Sequence, residues 1–166
     1  MKETRDKKTF AKLGYTLLDT AEIVIILNRL LSNYAVFSQK LRNYYWNIRG
    51  QDFFDIHNHF KNLHNKTFQD MDETAERILL FGQKPMSALK EYLQHTAIKE
   101  SSTPGSSFEM VNKILSDIRI LLENLEEGIA AAKEINDNGT EYMLKSFTYH
   151  LEKEHWMLTA WVQKGV

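Results

Sequence analysis

Both prolines of this 166-residue chain, Pro85 and Pro104, fall inside one interval, residues 83–107, and on either side of it nothing obliges a helix to break for tens of residues. Apolar residues recur there at three- and four-residue spacing, the signature of a helix with one buried face. Leu27, Leu30, Leu31, Tyr34, Phe37, Leu41, Tyr45 and Ile48 make one such stripe, which starts near Asp19 or Thr20 as N-cap and stops at Gly50. Phe53, Ile56, Phe60, Leu63, Thr67, Met71, Thr74 and Ile78 make a second, opening after Gln51–Asp52 and closing at Gly82.

The proline-bearing interval reads as a crossover containing one short helix, Met86–Leu93, followed by the Ser101–Ser107 run. A third long helix spans Phe108–Ile135, with Val111, Ile114, Leu115, Ile118, Leu121, Leu122, Leu125 and Ile129 in phase. Asn136-Asp137-Asn138-Gly139 ends it, and Thr140 is the expected cap of a fourth, carrying Leu144, Phe147, Leu151, His155, Leu158 and Val162.

Four long helices with two tight links and one long central crossover predict an all-α fold. The expected architecture is a ferritin-like four-helix bundle with a short helix in the long crossover, so that the second and third long helices run parallel. An up-down-up-down bundle with an irregular loop is the alternative. Residues 17–166 are assigned to this bundle and residues 1–16 to a basic tail.

Composition narrows the functional classes. There is no cysteine, which removes thiolate metal sites, disulfides and cysteine nucleophiles. Glycine-rich phosphate loops and a recognisable Ser-His-Asp context are missing, so hydrolase and nucleotide-dependent functions have no support. The N-terminus lacks the apolar stretch of a signal peptide, and no later segment runs 18 apolar residues without charge. A cytoplasmic protein with no membrane partner is expected. A net charge of −1 gives no global reason to bind nucleic acid, but residues 1–12 concentrate Lys2, Arg5, Lys7 and Lys8. These could contact DNA phosphates non-specifically and salt-dependently; the alternative is a terminus that stays in solvent.

The second helix holds the densest set of ligand-type side chains: His57, His59, Lys61, His64, Asp72, Glu73 and Glu76. At 100° per residue, positions 57, 61, 64, 68 and 72 fall within ~80°, with 76 slightly beyond. The pairs 57/61 and 72/76 lie roughly 17–28 Å apart along the axis, too far for one site in one chain. An isologous two-fold pairs residue i with a constant minus i, and 57 + 76 equals 61 + 72, so antiparallel packing of this helix on its copy unites the two pairs. An ordinary solvated face is the alternative.

The stretch Asn43-Tyr44-Tyr45-Trp46-Asn47-Ile48-Arg49-Gly50-Gln51-Asp52-Phe53-Phe54-Asp55-Ile56-His57, continued in Met71-Asp72-Glu73-Thr74-Ala75-Glu76-Arg77, closely resembles the Dps family of small ferritins. Glu152-Lys153-Glu154-His155-Trp156-Met157-Leu158 looks like that family's ending, and the resemblance covers roughly residues 17–162. It implies a hollow shell of twelve identical subunits that oxidises ferrous iron with peroxide, stores the ferric mineral and often shields DNA.

It also implies an iron site between two subunits, made of two histidines and an aspartate from one and an aspartate and glutamate from the other. His57, Asp72 and Glu76 match this pattern as metal and catalytic residues, and Trp46 matches the tryptophan beside the site. Tyr45 stands in place of the first histidine and Lys61 in place of the first chain's aspartate. A lysine ammonium has no lone pair to offer a metal, so Lys61 is expected instead to pair with Asp72 of a second chain, leaving a charge-paired remnant or a weak, rewired iron site. Tyr45 or His64 could add a ligand to a shifted site.

Asp137 and Glu141 match the acidic residues that line iron-entry pores in the family, though Tyr142 stands where an aspartate is frequent. Glu152-x-x-His155 has the spacing of a larger di-iron bundle motif, but no second copy of it occurs, which argues against a centre inside one bundle. The functions left standing are a mini-ferritin shell with an impaired ferroxidase step and a catalytically silent or DNA-coating shell held by Lys61–Asp72 pairs.

Overall fold

The computed structural model describes residues 11–102 and 105–163. A 3-10 turn, Ala11–Gly14, leads into α1 (Leu17–Asn47), α2 (Phe53–Leu80), the short α3 (Leu89–His95), α4 (Ser107–Glu134) and α5 (Asn138–Val162). Lys2, Arg5, Lys7 and Lys8 lie outside the described residues.

Local chemistry moves several boundaries from their expected places. α1 begins three residues early because Thr16 and Asp19 form a capping box: the Asp19 N–H donates to Thr16 Oγ1 at 3.1 Å, and the Thr16 N–H donates to Asp19 Oδ2 at 2.8 Å. α5 is capped by Asp137, not Thr140, since Asp137 Oδ1 accepts the Thr140 N–H at 3.1 Å. The crossover helix starts at Leu89 instead of Met86, because the Met86 N–H is committed to Asn28 Oδ1 at 2.9 Å and Glu91 gathers the Ser87 and Ala88 N–H groups. Gly50, at φ +96°, makes the turn that folds α2 back on α1, a left-handed conformation that costs glycine little.

Contacts between helices fix their directions. Along α1 and α4, Lys40 meets Asp117 at 2.5 Å, Asn33 Nδ2 donates to Asn124 Oδ1 at 2.9 Å, and Arg29 pairs with Glu127, so one number rises as the other falls. Along α2 and α5 the same holds for His59–Glu154 and Arg77–Asp137, and along α1 and α2 for Tyr45–His57 and Ser38–His64. α1 is therefore antiparallel to both α2 and α4, which makes α2 and α4 parallel. Only the bundle with one long crossover satisfies this; the up-down-up-down alternative is excluded. The crossover is pinned to α1, where Asn33 Oδ1 accepts from the Ala97 N–H at 2.8 Å and Ile98 is buried.

Leu27, Leu30, Phe37 and Leu41 of α1 pack with Phe60 and Ile78 of α2, Ile114, Ile118 and Leu125 of α4, and Leu144, Phe147 and Leu151 of α5. Full burial of each such side chain contributes about 1.5–3 kcal/mol, the main force holding the bundle. One expected core residue changes: Tyr44 is fully buried, and Tyr45 sits half-buried at the edge. α1 is long and apolar enough to cross a membrane by length and composition, with a mean hydropathy of 1.2 over its most apolar window, but 67% of that window is buried inside the bundle. Its apolarity is thus used by the core.

Candidate functional site

The Gly50 turn brings the first turns of α2 beside the last turn of α1, and His57 lands against Tyr45. His57 Nδ1 lies 2.7 Å from the Tyr45 carbonyl oxygen. A carbonyl only accepts, so Nδ1 carries a proton, and in the neutral ring Nε2 keeps its lone pair. The ring is held in place by stacking on Phe53, 5.1 Å between centroids, and by the Tyr45 ring edge at 5.6 Å. This is how a metal-binding imidazole is commonly oriented: one nitrogen anchored to backbone, the other presented with its lone pair.

His64 behaves differently. It is buried, its Nδ1–H donates to the Ser38 carbonyl at 3.0 Å, and its Nε2 faces Arg42 Nη2 at 3.3 Å, where it can only accept. Burial pushes its pKa down, the Ser38 hydrogen bond opposes and Arg42 adds to the shift, and both nitrogens are engaged. The shifted-site role considered for His64 is therefore not available to it in this conformation. His59 leaves the stripe altogether and faces Glu154 on α5.

Lys61, Asp72 and Glu76 are exposed along the same edge as His57, and among the described residues none of them forms an ion pair within the chain. Among the described residues, too, no three histidine or acidic side chains converge at metal-ligand spacing. His57 and Lys61 lie toward the start of α2, and Asp72 and Glu76 toward its end.

Beside this edge runs a groove of about 830 Å³, lined by Arg42, Trp46, Phe68 and Met71 on one side and Leu89 and Leu93 on the other. Trp46 is 66% exposed, with the Arg42 guanidinium 5.9 Å from its ring and 5.7 Å from that of Phe68. Sequence reasoning passed over Arg42. Its place four residues before Trp46, one helical turn away, was the signal that the two would touch.

The acidic residues at the start of α5 are both engaged. Asp137 is buried, caps the helix and pairs with Arg77, whose Nε also donates to Thr140 Oγ1 at 2.7 Å. Glu141 pairs with Lys145 at 2.5 Å. Of the two, only Glu141 has a partly accessible carboxylate. Glu152 is exposed, while Glu154, which the Glu-x-x-His reading overlooked, is the buried acid of that segment.

Comparison with known proteins gives a consistent result. The model of the ferritin-like domain family matches residues 25–165. General stress protein 20U of Bacillus subtilis is 33% identical over 141 residues, covering 85% of this chain and 97% of that one. DNA protection during starvation protein 2 of Bacillus anthracis is 33% identical over 143 residues, covering 86% and 98%. Among solved structures, the Dps protein of Vibrio cholerae, described as a member of a broad superfamily of ferritin-like diiron-carboxylate proteins, superimposes with a TM-score of 0.88 at 32% identity, over 90% of this chain and 94% of that one. A Dps protein from Bacillus brevis gives a TM-score of 0.86 at 32% identity, over 90% and 100%.

Proposed function

The chain belongs to the Dps group of the ferritin-like family, and from the state of its α2 edge we propose that it is the subunit of a twelve-subunit mini-ferritin shell that sequesters ferrous iron and protects against peroxide, with an impaired ferroxidase step. The observation that carries this reading is the His57 imidazole, anchored through Nδ1 at 2.7 Å and left with a free Nε2 lone pair on the edge that also bears Asp72 and Glu76.

In a two-fold pair of subunits, His57 of one faces Asp72 and Glu76 of the other. One imidazole and two carboxylates suit ferrous iron, and the carboxylates favour the ferric product by charge. Iron is the substrate: hydrogen peroxide takes one electron from each of two ferrous ions and two protons from solvent, its O–O bond breaks, and two waters and two ferric ions result. Two features weaken this step. Tyr45 supplies a phenol where an imidazole belongs, and Lys61 sets a fixed cation one helical turn from His57, where a metal cation is to bind. Exposed Trp46, Phe68, Leu89 and Leu93 along the groove support burial of this edge against a second copy.

A second reading is a catalytically silent shell in which Lys61 pairs with the partner subunit's Asp72. The absence of any ion pair on Lys61 and Asp72 within the described chain favours it. Ferrous iron mixed with peroxide, followed by absorbance of the ferric product, separates the two; no acceleration over buffer leaves only the silent shell. The name carried by relatives, DNA protection during starvation protein, supports non-specific DNA as a partner. Gel shifts across a salt series, with and without residues 1–12, test whether Lys2, Arg5, Lys7 and Lys8 carry it.

A further inference from the structure

On the far side of α2, between it and α5, stand three side chains that neither the core nor the two-fold edge uses. His59 follows His57 by two residues, or 200° around the helix, and so faces α5 instead of the shell's two-fold edge. His150 and Glu154 lie one turn apart on α5. His59 Nε2 is 2.8 Å from Glu154 Oε2, and His150 Nε2 is 3.8 Å from Glu154 Oε1.

These atoms are close without being bonded. His59 Nε2, His150 Nε2 and Glu154 Oε2 are all buried, and none makes a directed hydrogen bond. Glu154 is only 8% exposed, and among the described residues no lysine or arginine pairs with it. Lys66, the nearby cation on α2, is held by Asp70. A buried carboxylate is maintained by a cation or by well-directed donors, and here the two imidazoles are the groups placed to serve it, without a directed hydrogen bond from either.

We propose that His59, His150 and Glu154 form a binding site, within one subunit, for a single divalent transition-metal ion. Two imidazoles and a carboxylate are the donors such ions prefer, and they leave a coordination position open for water; oxygen-seeking magnesium and calcium are disfavoured. Ligands roughly 2.0–2.2 Å from a tetrahedral ion stand about 3.4 Å from one another. The observed 2.8 Å to Oε2 and 3.8 Å to Oε1 place one imidazole at each oxygen of the carboxylate, near that spacing. As they stand they are short of finished ligand spacing, and the ion therefore assembles the site instead of entering a ready one. The His59 and His150 side chains keep 27% and 29% exposure, which leaves them room to turn and gives the ion an entry.

The test uses the full chain, stripped of metal by chelation, in a background carrying His57→Ala, Asp72→Asn and Glu76→Gln, so that the two-fold set cannot bind. Cobalt(II) is titrated and followed by the visible d–d bands of a tetrahedral centre. The site predicts about one cobalt per subunit in that background, and at least roughly tenfold weaker binding after His59→Ala or Glu154→Gln. Zinc should displace the cobalt and raise the melting temperature of the background protein but not of the His59→Ala protein. Absence of the bands in the background, or bands unchanged by both substitutions, overturns the proposal. Should Glu154→Gln fail to fold, judged by circular dichroism, His59→Gln and His150→Gln replace it: weakened bands in both support the site, and unchanged bands in both overturn it. Because the readout is binding without the His57 set, its outcome is independent of whether the shell oxidises iron.

Discussion

The imidazole of His57 is oriented by the backbone of Tyr45, whose carbonyl accepts the Nδ1 proton at 2.7 Å, while the phenol ring of the same Tyr45 stands edge-on 5.6 Å away. On the proposed iron-site reading, the residue that orients one ligand is also the residue that fails to supply another. Replacing it separates the two roles: Tyr45→His keeps the carbonyl and adds an imidazole. Combined with Lys61→Asp, it should raise the initial rate of peroxide-dependent ferrous oxidation by at least roughly tenfold, equivalent to about 1.4 kcal/mol of added stabilisation. Stopped-flow absorbance of the ferric product measures it, and an unchanged rate would mean that these positions do not limit the reaction.

Lys61 makes the opposite prediction under the silent-shell reading. If the ammonium sits buried against the partner subunit's Asp72, Lys61→Ala leaves uncompensated carboxylates and should weaken the assembly by up to ~3–5 kcal/mol. Analytical ultracentrifugation and thermal melts at neutral pH in chelator should show dissociation or an earlier transition. A variant that assembles and melts like the parent rules the pair out as what holds the shell.

Periodicity made the four long helices and their parallel second and third members legible, because each buried stripe runs for many turns and the crossover holds both prolines. Short-range chemistry displaced the ends: Thr16-x-x-Asp19 is a capping box with aspartate in the usual place of glutamate, and Asp137 caps where Thr140 was expected. Tyr44 and Tyr45 are adjacent and chemically alike, so spacing alone could not tell which faces the core. The proposed two-fold edge was legible only as a proposal, from residues that share one helix and whose numbers sum to a constant. His59, His150 and Glu154 were not, since their meeting depends on the α2–α5 register across about ninety residues of chain. No local pattern encodes that register.

The Lys40–Asp117 pair lies inside the bundle, at 2.5 Å with side chains 5% and 8% exposed. Burial pushes the Asp117 carboxyl up, and Lys40 only partly opposes the shift, so desolvation outweighs attraction. Removing one partner should be costly and removing both should not. Lys40→Met alone is expected to destabilise by about 3–5 kcal/mol, whereas Lys40→Met with Asp117→Leu should be near neutral or more stable than the parent. Denaturant midpoints of the two singles and the double close the cycle; a double variant as unstable as the sum of the singles would show that the pair contributes net stability.

Asp70 gives the pH dependence a sign. Burial raises its carboxyl from the ordinary 3.8 to about 6, with the Lys66 ammonium pulling the other way and Glu73 adding to the rise. The folded chain thus holds this proton more tightly than the unfolded chain does, and between pH 4 and 6 folding takes up a proton at Asp70. Its contribution is most favourable below pH 4 and is lost as the pH rises through 6, the reverse of a surface salt bridge with a depressed carboxylate. Asp70→Asn abolishes this titration while keeping the side chain's shape. Relative to that variant, the parent should gain up to about 3 kcal/mol on going from pH 7 to pH 4. Urea midpoints of both proteins at pH 4, 5, 6 and 7 measure the difference. A gap that stays constant, or that closes in the other direction, would mean that the Lys66 pair governs Asp70 and its burial does not.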